Sequence, residues 1–335
     1  MSRVYLDYNA TAPLRVEAQG AMVAAMDVVG NPSSVHGEGR AAKAVVERAR
    51  AQVAQAVGCT AAEVVFTSGA TEAASFLRYV AGGVEVDPAA HDALWVHRRA
   101  GDAPLRAVGV ASGETGIMAD VAGADLLDAT QVVGRVPFAF SWTGADFAIL
   151  SAHKFGGPKG VGALIVRDGV DIAALQHGGG QEMGRRSGTE NVIGIAGMGA
   201  AIEAAMGDLE AGVWTGVEEL RNILESGVEA ASKETILVGK EVARLPNTSC
   251  LLTPGWKGET QVMAMDLAGF AISAGSACSS GKVKASRVLM GMGYSAADAA
   301  SAIRVSLGPE TTHEDVTRFV DVWTDKLQRH RLRSA

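Results

Sequence analysis

The chain has 335 residues, 48% of them hydrophobic and 20% charged, a balance that supports a large buried core and excludes a disordered chain. Two lobes are expected, because single cores stop growing at about 250 to 300 residues. The formal net charge of -7 offers no basic surface to a phosphate backbone, which argues against nucleic acid as the main partner.

No stretch reads as long and apolar enough to span a bilayer. Met1-Ser2-Arg3-Val4-Tyr5 enters folded sequence without a charged-then-apolar leader, so a cytoplasmic protein without membrane contact is expected. Cys59, Cys250 and Cys278 are widely spaced and odd in number, which fits neither a disulfide framework nor a metal site.

A short strand-like start leads into Asp7-Tyr8-Asn9-Ala10-Thr11-Ala12-Pro13, rich in turn formers and expected to be an ordered arm. Helical spacing over 15–28 breaks at Gly30-Asn31-Pro32-Ser33-Ser34, before an amphipathic helix over 41–57. Residues 61–66 predict a buried strand, and Thr67-Ser68-Gly69-Ala70-Thr71-Glu72-Ala73 then opens a helix. Small and hydroxyl residues at such a turn present donors to an anion, so it reads as a phosphate cup or a plain capping turn. It lacks the spacing of a P-loop.

Short apolar runs at 93–96, 105–110 and 124–127 predict strands of a mostly parallel sheet with few, short crossover helices. Asp128-Ala129-Thr130-Gln131 follows the last run, at the carboxyl end where open α/β sheets place ligands, and a carboxylate there suits a protonated ring nitrogen. The apolar runs 147–150 and 161–166 are separated by a polar interruption that contains Ser151, His153 and Lys154. Lys154 is the best candidate nucleophile. A lysine amine attacks a carbonyl, giving a Schiff base, when burial or cations such as His153 and Lys159 lower its pKa.

Residues 177–191 form a polar, glycine-rich loop expected to line a site or an interface. A small-residue helix over 192–206 gives way to a more charged one over 209–232, a change read as passage into a second lobe. Strands are expected at 236–239, 248–252 and 270–273, with a helix over 258–267 between them. Helices over 295–302 and 313–329 flank Ile303-Arg304-Val305-Ser306-Leu307. Ala274-Gly275-Ser276-Ala277-Cys278-Ser279-Ser280-Gly281-Lys282 packs small residues around one cysteine, the setting of a reactive thiol. Lys282 and Lys284 stand near to favour its thiolate, whereas Cys59 and Cys250 read as structural.

Together Tyr5-Leu6-Asp7-Tyr8-Asn9-Ala10-Thr11, Asn31-Pro32-Ser33-Ser34-Val35-His36, the turn after Phe66, the Lys154 motif, Arg186-Ser187-Gly188-Thr189-Glu190-Asn191, the Cys278 loop and Ile303-Arg304-Val305-Ser306-Leu307-Gly308 resemble the cysteine desulfurases of the NifS/IscS type, in the class V aminotransferase superfamily. The blocks span most of the chain and keep the family's order. The resemblance implies an α/β, fold-type I pyridoxal-phosphate-dependent transferase: a large domain over 14–207 with a mostly parallel central sheet, and a smaller α+β domain from 1–13 and 208–335 carrying the cysteine loop.

It further implies pyridoxal 5'-phosphate as cofactor, carried by Lys154, which also moves protons on the substrate. Asp128 would pair with the ring nitrogen and Gln131 would bond the phenolic oxygen. The phosphate would lie against Ala70 and Thr71, with Ser151 and His153 adding donors and Thr189 reaching it from the second subunit of a homodimer. Arg304 would grip the carboxylate of L-cysteine, with Asn31 also binding substrate. Cys278 would take the sulfur as a persulfide, release alanine and pass the sulfur to an acceptor or scaffold protein, for iron–sulfur cluster assembly or thio-modification. No metal is expected.

The chain departs from this pattern over 74–127, where family members are longer. His91 is the counterpart of a histidine that stacks on the cofactor ring, and the family's Asn-Asn-Glu-x-Gly stands here as Ser112-Gly113-Glu114-Thr115-Gly116. Two alternatives share these residues: a selenocysteine lyase or other class V enzyme, and a low-activity or non-catalytic partner subunit of a sulfur-transfer complex.

Overall fold

A computed structural model describes residues 3–275 and 285–334. After a two-residue strand, β1 (Val4–Tyr5), the chain builds one unit from Thr11–Ala111 and Ala119–Ala211; the remaining described residues form another.

The first unit opens with α1 (Val16–Met26) and α2 (Gly37–Val57). The His36 ring accepts from the Gly39 N–H and starts α2, and Gly58, at φ 69°, ends it in the left-handed conformation that glycine favours. There follow β2 (Val64–Thr67), α3 (Ala70–Ala73), β3 (Val84–Val86), α4 (Asp92–Trp95), β4 (Leu105–Gly109), β5 (Leu126–Asp128), β6 (Phe147–Ser151), β7 (Gly162–Val166) and α5 (Val192–Glu210). Six strands form one sheet in the order β2-β7-β6-β5-β4-β3. β3 to β6 are mutually parallel, and β7 runs against both of its neighbours. Every residue of β2, β5, β6 and β7 is buried, as unbroken apolar runs in a covered sheet require.

Two expectations are corrected here. The run at 93–96 is not a strand: His91 caps a helical turn, α4, and four apolar residues are too few for periodicity to separate the two. The helix α5 is, by length and composition, apolar enough to cross a membrane, against the expectation that no stretch is. Its packing explains that composition. A Cβ at Gly197 would come within 2.6 Å of Met22 on α1, and one at Gly199 within 2.8 Å of the Ala49 backbone on α2, so these helices meet at glycine distance.

The second unit contains α6 (Val213–Ala231), β8 (Ile236–Leu237), β9 (Thr248–Leu252), α7 (Gly258–Asp266), β10 (Phe270–Ala271), β11 (Ser273–Ala274), α8 (Arg287–Gly291), α9 (Ala296–Ala299), β12 (Ala302–Ser306) and α10 (His313–Ser334). An antiparallel sheet runs β11-β12-β9-β8, and β1 pairs in parallel with β10. Phe270, Phe319 and Trp323 are fully buried in its core. Ser112–Met118 belongs to this unit, although the expected bounds put it in the larger domain. Its backbone explains the attachment: Met118 N donates to Ala243 O (2.9 Å) and Leu245 N to Gly116 O (2.8 Å). The arm is ordered by side chains, with the buried Asn9 amide donating to Gly113 O (3.1 Å) and Thr248 Oγ1 (2.9 Å) and accepting from Asn247 (3.1 Å).

Candidate active site

Lys154 ends the helical turn Ala152–Lys154 that follows β6. That turn is held from two sides. The arm supplies Ala12 N to His153 O (2.9 Å), Arg15 N to Gly156 O (2.9 Å) and Arg15 Nε to Phe155 O (3.0 Å). From the other side Arg135, only 3% exposed, donates one guanidinium nitrogen to Lys154 O (2.9 Å) and the other to Gln131 Oε1 (2.8 Å).

Asp128 ends β5, one strand away, paired with Ile149 of β6 and buried. Its Oδ1 accepts from Thr130 N at 3.0 Å, and the buried Thr130 hydroxyl has no hydrogen-bond partner among the described residues. The turn after β2 comes to the same edge. Thr67 and Ser151 are both register partners of Gly162, where a Cβ would stand 2.5 Å from Gly69 Cα. A Cβ on Gly69 would in turn lie 3.5 Å from Ser151 Oγ, so the Ser151 hydroxyl sits beneath the turn that carries Ala70 and Thr71. Ala70 is half-buried and Thr71 exposed.

The His153 ring lies 3.2 Å from Thr11 Oγ1 through Nδ1. Burial, and then the charges of Lys154 and Lys159, push its pKa down to about 4. It is therefore neutral at neutral pH. Asp128, Gln131, Ser151, His153 and Lys154 thus gather at the carboxyl edge of neighbouring strands, the ligand-binding edge of an open α/β sheet.

A family model described as aminotransferase class-V matches residues 4–92 and 112–319. The chain belongs to the class-V aminotransferase family. Among its relatives, a cysteine desulfurase of Cereibacter sphaeroides is 38% identical over 96% of this chain and 95% of its own. A cysteine desulfurase IscS of Dictyoglomus turgidum is 34% identical over 95% and 93%. The solved structure of a NifS-like protein from Rickettsia africae superposes with a TM-score of 0.90 at 29% identity, covering 97% of this chain and 99% of that one. The fold is accordingly fold-type I, α/β with a mixed, mostly parallel sheet. The family match omits 93–111, inside the stretch where the sequence departs from the family pattern.

Three further expected site residues of this class-V member, His91, Asn31 and Thr189, are exposed. His91 is exposed, and its Nδ1 accepts from Ala93 N at 3.1 Å as the cap of α4. Asn31 is exposed and folds onto its own backbone, its Oδ1 accepting from Ser33 N at 2.9 Å. Thr189 is exposed on the glycine-rich loop. That loop is pinned by Glu182, which accepts both Arg50 guanidinium nitrogens (2.8 Å each) and the Phe66 N–H (2.8 Å) while Glu182 and Met183 hold φ of 48° and 57°. Arg186 then reaches Glu72 of α3 at 2.9 Å. A cavity of about 630 Å³ lies beside the loop, lined by Lys43, Arg50 and Met183 but not by Asp128, Gln131 or Lys154.

In the second unit Arg304 is buried on β12. It donates to Asp7 Oδ1 (2.7 Å) and Gly113 O (3.0 Å), Asp7 also accepts from Ser273 Oγ (2.8 Å), and the buried Arg304 Nε has no partner among the described residues. Cys278 lies outside the described residues. Sequence reasoning missed Arg135 and the Asp7–Arg304 pair; the one available signal for Arg135 was its place four residues after Gln131.

Proposed function

We propose that the chain is a pyridoxal-phosphate-dependent cysteine desulfurase that takes sulfur from L-cysteine, leaves alanine and hands the sulfur to an acceptor protein. The gathering of a lysine, a buried carboxylate, an amide, a hydroxyl and a neutral histidine at one sheet edge carries this reading. The names of the relatives support it.

The residues fit the cofactor. Lys154 would hold its aldehyde carbon, Asp128 its ring nitrogen and Gln131 its phenolic oxygen. Ser151, His153 and the turn at Ala70 and Thr71 would hold its phosphate, where a buried hydroxyl and packed glycines form a cradle. When bound, the cofactor supplies an electron sink for bonds at the substrate α-carbon. Asp128 would hold the proton on the ring nitrogen, and His153, held neutral, could donate to the phosphate without a charge of its own. Arg304 orients the substrate carboxylate, its buried Nε–H having no partner among the described residues. Lys154 moves a proton at the α-carbon. Cys278 as a thiolate takes the sulfur, so an S–S bond forms as the substrate Cβ–S bond breaks and the carbon gains a proton, giving alanine.

A cytoplasmic homodimer, with Thr189 turned to the neighbouring subunit's phosphate, completes the reading, as do His91 over the ring and Asn31 at the substrate. Incubation with L-cysteine and a reductant should release alanine and sulfide in equal amounts from the wild type. Neither should come from Cys278→Ser, although that variant still binds cofactor. A cofactor-loaded wild type that releases no alanine would sink the proposal.

A further inference from the structure

We propose that Arg135 is a positioning residue that locks both Gln131 and the Lys154 turn in their working orientations. The inference rests on the cofactor placement above and assigns a role to a side chain outside the expected site. Arg135 is 3% exposed, and its two terminal nitrogens reach different targets, Gln131 Oε1 at 2.8 Å and Lys154 O at 2.9 Å. A guanidinium only donates, so it must meet the oxygen of the Gln131 amide, and this settles which way round the amide sits. What Gln131 presents elsewhere is its NH₂ group, a donor suited to a phenolate oxygen. The second arm fixes the peptide that carries the lysine.

The fork itself is anchored. Arg135 follows Gly134, which holds φ 75°, and a Cβ there would stand 2.7 Å from Ala205 of α5. The planar guanidinium reaches two acceptors at once, which a lysine ammonium on a flexible stem does less well.

The readout is the visible absorbance of the bound cofactor as a function of pH, which reports the proton shared by Lys154 and its cofactor, together with the cofactor content of each variant. Losing a nearby cation and an oriented N–H donor both favour the protonated form. Arg135→Met should therefore raise the midpoint by about one pH unit while the cofactor stays bound. Arg135→Lys keeps the charge but holds one acceptor firmly, so its midpoint should fall between those of wild type and Arg135→Met; it serves alone if the Met variant does not fold. Because Arg135 acts through Gln131, the double variant with Gln131→Ala should shift less than the sum of the two single shifts. A wild-type midpoint in Arg135→Lys or Arg135→Met, or strictly additive shifts, overturns the proposal. Failure of the functional reading looks different: after borohydride reduction, the wild type would then carry no cofactor on the peptide that contains Lys154.

Discussion

At the scale of single residues, the chemistry is concentrated in groups whose protonation the fold controls. His153 has a folded pKa of about 4 against an ordinary 6.5, so protons bind more readily to the unfolded chain. Its contribution to stability is complete above pH 6.5 and is lost as pH falls toward 4. His153→Gln should flatten that part of the stability profile of the cofactor-free protein, measured by thermal unfolding. An unchanged profile would assign the dependence to another group. The thiols separate in the same way: burial and then Glu63 push Cys59 up to about 12, and burial raises Cys250 as well, so neither supplies a thiolate near neutral pH. Asp128 and Ser151 could be read from the sequence because each ends an apolar run, and Lys154 because it stands in the polar interruption that follows one; strand ends are where ligands bind. Arg135 could not, since its targets are a turn carbonyl and an amide that no periodicity marks. The Asp7–Arg304 pair joins residues 297 positions apart, a distance no local pattern spans.

At the scale of elements, the buried strands β2, β5, β6 and β7 were the most legible, because each is an apolar run closed by at most one polar residue. Shorter pieces were ambiguous, as α4 shows. α5 illustrates a different limit: its small residues were visible, but their purpose, close approach to α1 and α2, depends on partners far away in sequence. That purpose has a measurable consequence. Gly199→Leu would force side-chain atoms into the Ala49 backbone and should destabilise the protein by about 3 kcal/mol in urea unfolding. Gly207, on the same helix, has nothing within 4 Å of a would-be Cβ, so Gly207→Ala should stabilise by about 0.5–1 kcal/mol. Equal effects at the two positions would show that helix propensity, and not packing, decides the cost of glycine in α5.

At the scale of the whole molecule, the second unit is assembled from both ends of the chain and from Ser112–Met118. The shift to a more charged helix after residue 208 was visible in composition. The allegiance of 112–118 was not, because it is attached through backbone hydrogen bonds that leave no mark on residue choice. These distant pieces meet at Asn9, which is 1% exposed and bonded to Gly113, Asn247 and Thr248. Asn9→Ala removes one amide and strips a partner from each of three polar groups at once, two of them fully buried. The full chain should lose about 2–3 kcal/mol in denaturant unfolding, since a buried polar group left short of a bond costs about 1–3 kcal/mol and part of the bonding survives through Leu307 O and Arg304. Thr248→Ala removes only one of those contacts and should cost less. If Asn9→Ala unfolds like the wild type, the arm is merely laid against the unit, and a chain lacking its first ten residues should then fold with undiminished cooperativity; if the loss is as large as expected, that truncated chain should unfold early or without a sharp transition.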